Sequence, residues 1–247
     1  MIIRKTPEEI EAIARAGRIL RGCLDVLSQK VEPGVSTKEL DRLAEEFIRG
    51  HGGTPTFKGY RGFPGSICTS PNDMVVHGIP GSTRLREGDI VGIDVGVTLD
   101  DFIADAAVTL AVGDVSEEAQ ALMTATRESL MLAVEECWPG KRIGDISHAV
   151  QSHVEVRGYS VVRSLVGHGV GRAMHEDPQV PNFGLPGRGP RLSEGMVLAI
   201  EPMINSGGFD VEVGADSWSI FTKDGGLSAH FEHTVAVTAA GPRVLTA

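Results

Sequence analysis

Cysteine is scarce in this chain. Cys23, Cys68 and Cys137 are widely spaced and form no C-x-x-C pair, which excludes a disulfide framework and a cysteine zinc finger and fits a reducing, cytoplasmic setting. Long apolar runs are absent as well: nothing approaches the ~18 residues a membrane helix needs. The N-terminal stretch Met1-Ile2-Ile3-Arg4-Lys5-Thr6-Pro7-Glu8-Glu9 has no apolar signal-peptide core. A soluble, unexported protein with no membrane contact is expected. Positive charge is also in deficit. Against 33 Asp and Glu there are 23 Lys and Arg, a net charge of -10, and no basic stripe that could draw affinity from phosphates, so a nucleic-acid partner is excluded. Glycine, in contrast, is abundant at 31 of 247 residues, above an average usage of about 7%. Many of these glycines flank histidines and acids, as close backbone approach or tight turning requires.

One frame occurs twice: Glu87-Gly88-Asp89-Ile90-Val91-Gly92-Ile93-Asp94 and Glu194-Gly195-Met196-Val197-Leu198-Ala199-Ile200-Glu201. In each, Glu-Gly turns into an apolar strand that ends in an acid, a residue almost never fully buried unless paired or bound. Two His-Gly-apolar tripeptides, His77-Gly78-Ile79 and His168-Gly169-Val170, precede the two acids in the same order. A duplicated half-domain, with each half giving a histidine and a carboxylate to a shared centre, is the simplest reading. Chance similarity of two polar-ended strands is the bland alternative for either copy alone.

The rest of the pattern predicts α+β architecture, with helices in pairs ahead of strands, twice over. Thr6-Pro7-Glu8-Glu9 and Ser36-Thr37-Lys38-Glu39 are capping-box starts, and further helices are predicted from Ser116 to about Cys137 and from about Gly144 to Gly158. Thr54 to Pro80, rich in Gly, Pro and Ser, reads as a long irregular stretch of functional type. Strands are predicted at Ile90–Val97, Phe102–Leu110, Ser160–Val162, Val166–Val170, Met196–Glu201, Val211–Val213, Trp218–Thr222 and Phe231–Thr238, with Pro181–Pro190 a surface loop. A chain of this length fits one catalytic domain over 1–247, built of two pseudo-symmetric halves at roughly 1–115 and 116–247.

Five ionisable residues lie inside apolar, strand-like runs: Asp94, Asp105, His168, Glu201 and Glu232. Like charges 4 Å apart repel by ~1 kcal/mol even in water, so if the four acids converge, cations must hold them. Four carboxylates and one imidazole suit Mn, Fe(II), Co or a catalytic Zn rather than a closed structural zinc. The four negative charges balance two divalent ions, which together can activate a shared water and clamp a tetrahedral intermediate, as in hydrolases.

Gly167-His168-Gly169-Val170-Gly171, followed by His175, together with Ala199-Ile200-Glu201-Pro202 and Glu232-His233-Thr234, resembles the type I methionine aminopeptidases over nearly the whole chain. That resemblance implies the pita-bread fold, in which pseudo-twofold half-domains surround a central antiparallel sheet. It makes Asp94 the chelator of one metal, Asp105 and Glu232 the bridging carboxylates, and His168 with Glu201 the ligands of the other. It also implies that Glu201 shuttles a proton, that His175 stabilises the oxyanion and that His77 binds near the scissile nitrogen. Tyr60, Phe63, Cys68, Met174 and Trp218 match the pocket for the substrate's methionine side chain; taken singly, each is an ordinary core residue. Asn72 and Ser228 match a monovalent-cation site, with a plain turn role the equal alternative. The implied substrates are the N-termini of nascent polypeptides, met at or near the ribosome by a monomer.

The chain departs from the family pattern at Leu165, at Asn182-Phe183, and at Asp100-Asp101-Phe102-Ile103-Ala104-Asp105, which lacks two glycines and a histidine of the usual motif. No ligand is lost. Cys68 carries no cysteine-peptidase signature, and His51, His148, His153 and His230 default to surface or packing roles. Three rival functions are a proline-specific aminopeptidase or prolidase of the same fold, a non-catalytic binding protein that keeps the fold, and a structural cation-binding protein.

Overall fold

The computed structural model describes residues 1–247. Helices α1 (Pro7–Ser28) and α2 (Thr37–Gly50) begin at the two expected capping boxes: Thr6 and Glu9 exchange side-chain and backbone hydrogen bonds, and Ser36 and Glu39 do the same. The Thr54–Pro80 stretch is mostly irregular but holds three short strands, β1 (Thr54–Pro55), β2 (Cys68–Pro71) and β3 (Met74–Val76). A long hairpin follows, β4 (Ile90–Leu99) and β5 (Phe102–Ala111), and then helices α3 (Glu117–Glu135), capped by Ser116, and α4 (Ile143–Glu155). The second half continues with β6 (Ser160–Val161), β7 (Gly167–Gly169), β8 (Glu176–Val180), β9 (Val197–Ile200), β10 (Met203–Asn205), β11 (Val211–Val213), β12 (Ile220–Thr222), β13 (Ser228–His230), β14 (His233–Thr238) and β15 (Gly241–Val244).

Five strands are shorter than predicted, β6, β7 and β9 by one or two residues and β12 and β14 by two at their starts. Trp218 lies before β12, and Phe231 and Glu232 lie before β14. Glu232 leaves the ladder because its N–H donates to the Ala107 carbonyl at 2.9 Å, across to the other half of the molecule. The Leu99–Phe102 hairpin closes on Asp100 and Asp101, both with positive φ (49° and 63°). That is the type I′ geometry, and Asp tolerates it without the glycines the sequence lacks.

Strand β4 is central in the first sheet, with β5 along one edge and β1 and β2 sharing the other. The second sheet runs β15-β14-β9-β7-β8, antiparallel throughout. The repeated frame is structurally real: Gly88 and Gly195, which lead into β4 and β9, both have φ +89°, a turn conformation that side chains disfavour. Helices α1 and α2 pack Ile13, Leu20, Leu24 and Leu40 against Val91, Ile93 and Val95 of β4, and the same cluster takes in Val197 and Ala236 of the second sheet. Helices α3 and α4 pack a second cluster on β9 and β14 through Leu122, Leu130 and Val150. No helix is long and apolar enough to cross a membrane.

The two sheets meet along a seam between β5 and residues 230–234. The Thr234 hydroxyl accepts the Asp105 N–H (2.9 Å) and donates to the Asp105 carbonyl (2.7 Å). Thr109 makes the same reciprocal pair with the backbone of His230, at 2.9 and 2.8 Å. The Glu232–Ala107 bond lies between them. Two threonine hydroxyls thus stand in for ladder hydrogen bonds, so the sheets join without a continuous pairing.

The N-terminal segment is fastened to the second half. The Lys5 N–H donates to the Gly195 carbonyl at 2.7 Å, and the Lys5 ammonium pairs with Glu176, the two side chains being 3% and 5% exposed. The other Glu176 oxygen accepts the N–H groups of Arg172 and Ala173 (3.0 and 3.2 Å). A Cβ on Gly171 would lie 2.4 Å from Lys5 Cε, so glycine leaves the room the pair occupies. Breaking one side of a buried ion pair costs about 3–5 kcal/mol. Lys5→Met is therefore expected to lower unfolding free energy by that amount, and Lys5→Met with Glu176→Gln to regain most of it, as measured by denaturant unfolding.

Candidate metal centre

Asp94 and Asp105 come from one hairpin. Asp94 is opposite Ala107 and Asp105 opposite Gly96, so the two acids are diagonal neighbours on one face of the pair. Glu201 and Glu232 sit one step beyond the β9–β14 ladder, whose last pair is Ile200 and His233. The seam then brings Glu232 against the hairpin. His168 reaches the same point from β7, paired with Ala199. Its Nε2 is 3.5 Å from Glu201 Oε1 and 3.8 Å from Asp105 Oδ2. Ligand atoms of Asp105, His168 and Glu232 all lie within 4.8 Å of one another. His168 Nδ1 is 2.9 Å from the Gly169 carbonyl; donating there leaves the Nε2 lone pair facing the acids.

These groups line an enclosed cavity of about 190 Å³ with 14 lining residues, and all but Phe57 and Arg61 are ones the sequence singled out. On its walls Phe63 meets Trp218 edge-on at 5.1 Å, and the Tyr60 hydroxyl is 2.9 Å from His175 Nδ1. The His175 ring lies 4.3 Å from that of His168. Cys68 pairs with Asp94 across β2 and β4. Burial, and then the Asp94 charge, push its thiol well above the usual range, which removes a thiolate nucleophile and leaves a pocket wall. Two larger, more open grooves run along α3, but the buried acids converge in the smaller cavity.

Two readings of the sequence need correction. The His-Gly tripeptides are not equivalent: His168 lies within β7, whereas His77 follows β3 with φ 60°. His77 lines the cavity beside His175 without joining the acids; in the first half, the strand facing β4 presents Cys68 instead. Of the surface or packing roles given to His230, the surface one fails: the residue is buried, with Nε2 3.7 Å from Glu201 Oε2 and 4.0 Å from Glu232 Oε2. Its position two residues before Glu232, on the same face of an extended segment, was the available signal. Asn182 was noted only as a departure, yet it donates to the Glu201 carbonyl at 2.9 Å. Asn72 and Ser228 are neighbours held by protein hydrogen bonds. The Asn72 amide bridges Asp89 and Ile90 (2.9 and 3.1 Å), and its carbonyl accepts the Ser228 N–H.

Electrostatics identifies what the site takes. Asp94 Oδ1, Asp105 Oδ1, Glu232 Oε1 and His230 Nε2 are buried with no hydrogen-bond partner. Burial pushes Asp94 up to about 7. Burial and then neighbouring carboxylates hold Asp105, Glu201 and Glu232 well above the ordinary carboxylate range. Burial lowers His168 to about 4 and His230 to about 3. Unpaired acceptors with resisted ionisation, beside imidazoles kept neutral, are the donor set of a divalent cation.

The sign of the pH dependence follows. A carboxyl with a raised folded pKa supports the fold fully below its unfolded value of about 4 and loses that support as pH rises through the folded value. For Asp94 that value is about 7. The buried histidines act oppositely, losing support as pH falls below about 6.5. Above about pH 7 the imidazoles are neutral in both states, so a decline there belongs to the acids. Asp94 therefore gives up its support by about pH 7, and a further loss of melting temperature in chelated protein as pH rises above about 7 is expected from Asp105, Glu201 and Glu232, which are held higher by burial and by one another. Saturating divalent ion should remove most of that loss, as read by scanning fluorimetry.

Residues 11–239 match the model of metallopeptidase family M24. The chain is 54% identical to a methionine aminopeptidase of Clostridium perfringens, over 100% of this chain and 99% of that one. It is 51% identical to methionine aminopeptidase 1 of Bacillus subtilis over the same shares. The methionine aminopeptidase structure from Rickettsia prowazekii superposes with a TM-score of 0.99 at 42% identity, covering 100% of both chains. A Pyrococcus furiosus prolidase shares the fold alone, with a TM-score of 0.79 at 23% identity over 99% of this chain and 65% of that one.

Proposed function

The chain belongs to metallopeptidase family M24, among its methionine aminopeptidases, and on that premise we propose that Asp94, Asp105, His168, Glu201 and Glu232 hold two divalent ions. The supporting observation is the set of buried, unpaired carboxylate oxygens around one cavity. Asp105 and Glu232, adjacent across the seam, would hold the ions together with Asp94 from the hairpin and His168 and Glu201 from the second sheet. When bound, such ions make a water nucleophilic at neutral pH and polarise the peptide carbonyl. Co, Mn, Fe and Zn all suit the donor set.

Removal of an N-terminal methionine then divides among the chain's own residues. Glu201, at the end of β9 with Oε1 3.5 Å from His168 Nε2, takes a proton from the attacking water and delivers it to the leaving amine. In this reading the Tyr60 hydroxyl, 2.9 Å from His175 Nδ1, donates to it, so that the His175 proton sits on Nε2 for the developing oxyanion. His77, kept neutral by burial and by His175, binds near the scissile nitrogen. Tyr60, Phe63, Cys68, Met174 and Trp218 enclose the substrate's side chain in aromatic and sulfur surface, which favours a flexible thioether. The natural substrates in this reading are nascent polypeptides with a small second residue. The chain acts as one catalytic unit in the cytoplasm, which its three unpaired, buried cysteines support.

Asp105→Asn is expected to abolish turnover and reduce bound metal while the fold survives, as read by metal analysis and circular dichroism. His175→Ala is expected to lower kcat by ~10²–10³ with metal content unchanged, the scale of losing an oxyanion donor; loss of metal would instead make it a ligand. Met-Ala, Met-Gly and Met-Ser peptides should be cleaved far faster than Met-Lys or Met-Phe, because ~1 Å of misplacement can cost ~10²-fold. Equal rates across that series would move the assignment to a broader aminopeptidase.

A further inference from the structure

Glu201 has an imidazole at each of its two oxygens. His168 Nε2 lies 3.5 Å from Oε1, and His230 Nε2 lies 3.7 Å from Oε2. His168 belongs to the ligand set; His230 does not, and its Nε2 is a buried nitrogen with no partner. The backbone fixes where that ring can be. His230 exchanges two hydrogen bonds with the Thr109 hydroxyl, and it is paired with Met203 at the end of β13. Carboxylates that bind a metal through one oxygen are oriented by a hydrogen bond to the other.

We propose that His230 is a positioning residue of the metal centre: its Nε2–H holds the outer oxygen of Glu201, so that the inner oxygen stays aimed at the ion side with His168. A closure of about 0.7 Å from the present 3.7 Å reaches an ordinary N–H···O distance of about 3.0 Å, which a small rotation of the Glu201 side chain provides. Placement on the far oxygen from His168 distinguishes this role from that of a sixth ligand. A side chain able to donate one N–H at similar reach should therefore replace it, and an apolar one of similar size should not.

The test titrates chelated protein with Co(II) by calorimetry, in the parent, His230→Leu and His230→Gln. The leucine variant is expected to lose about 10–100-fold in affinity, the usual scale for removing an outer-sphere partner, and the glutamine variant to keep most of the parental affinity. Proton NMR of Co(II)-loaded parent is expected to show one strongly shifted exchangeable imidazole N–H, from His168 Nδ1. Parental affinity in His230→Leu, or a glutamine variant as weak as the leucine one, overturns the proposal, the latter outcome marking a packing role. A second shifted imidazole N–H also overturns it, by making His230 a ligand. If the leucine variant does not fold, the glutamine variant and the parental spectrum still decide. The inference rests on the metal reading above: a parent that bound no Co(II) would end both, whereas an unaffected leucine variant ends this one alone.

Discussion

Four carboxylates brought together away from water repel one another, and the surrounding architecture is arranged around that repulsion. Each acid is held by a separate piece of backbone: two by the β4–β5 hairpin and two by the ends of β9 and β14. Side-chain flexibility therefore cannot relieve the conflict. What remains is to withhold charge by protonation, or to neutralise it with cations. The neighbouring histidines favour the second outcome, since burial keeps His168 and His230 neutral, so neither supplies a positive charge to offset the acids. A fold that fixes its acids this rigidly has its least favourable electrostatics when metal-free at high pH.

Most of the site could be read from residue type against background. Asp94, Asp105, Glu201 and Glu232 stand out because an acid in an apolar extended run lacks the solvation that a surface charge has, and the structure buries Asp105 and Glu232 almost completely. The Glu-Gly turns were equally legible, since only glycine adopts φ near +89° freely. The His-Gly tripeptides misled because three-residue similarity carries no information on strand register. His77 lies outside any strand and His168 inside one. For His230 the i, i+2 spacing to Glu232 was legible, but the Thr109 contact that fixes its backbone lies 121 positions away and leaves no local pattern. The seam was invisible for the same reason: Thr234 looks like an ordinary strand threonine until Asp105 is placed beside it.

Departures from the family pattern fall where the structure can absorb them. Asp100 and Asp101 make the hairpin turn in the left-handed region that short polar side chains tolerate, and the strands on either side keep full register from Leu99–Phe102 to Ile90–Ala111. Asp105 therefore reaches its place without the missing glycines. Asn182 ties the loop after β8 to the Glu201 carbonyl. The fold is shared with a prolidase at 23% identity, so architecture alone does not select a substrate; Tyr60, Phe63, Met174 and Trp218 line the cavity that the acids share.

The seam also sets the order in which the molecule can come into being. Asp105 and Thr234 are 129 positions apart, and Thr109 and His230 are 121 apart. Contacts of such sequence separation close late, because the intervening chain must be confined before they return any stability. During synthesis the first helix pair and the β4–β5 hairpin can pack while the second half is still missing. Asp94 and Asp105 then sit on an open face in contact with water, where their charges are tolerable. Residues 230–234 bring Glu232 to the hairpin, where its N–H donates to the Ala107 carbonyl. A fragment that stops short of residues 230–234 has neither the seam nor Glu232, one of the four acids that line the cavity.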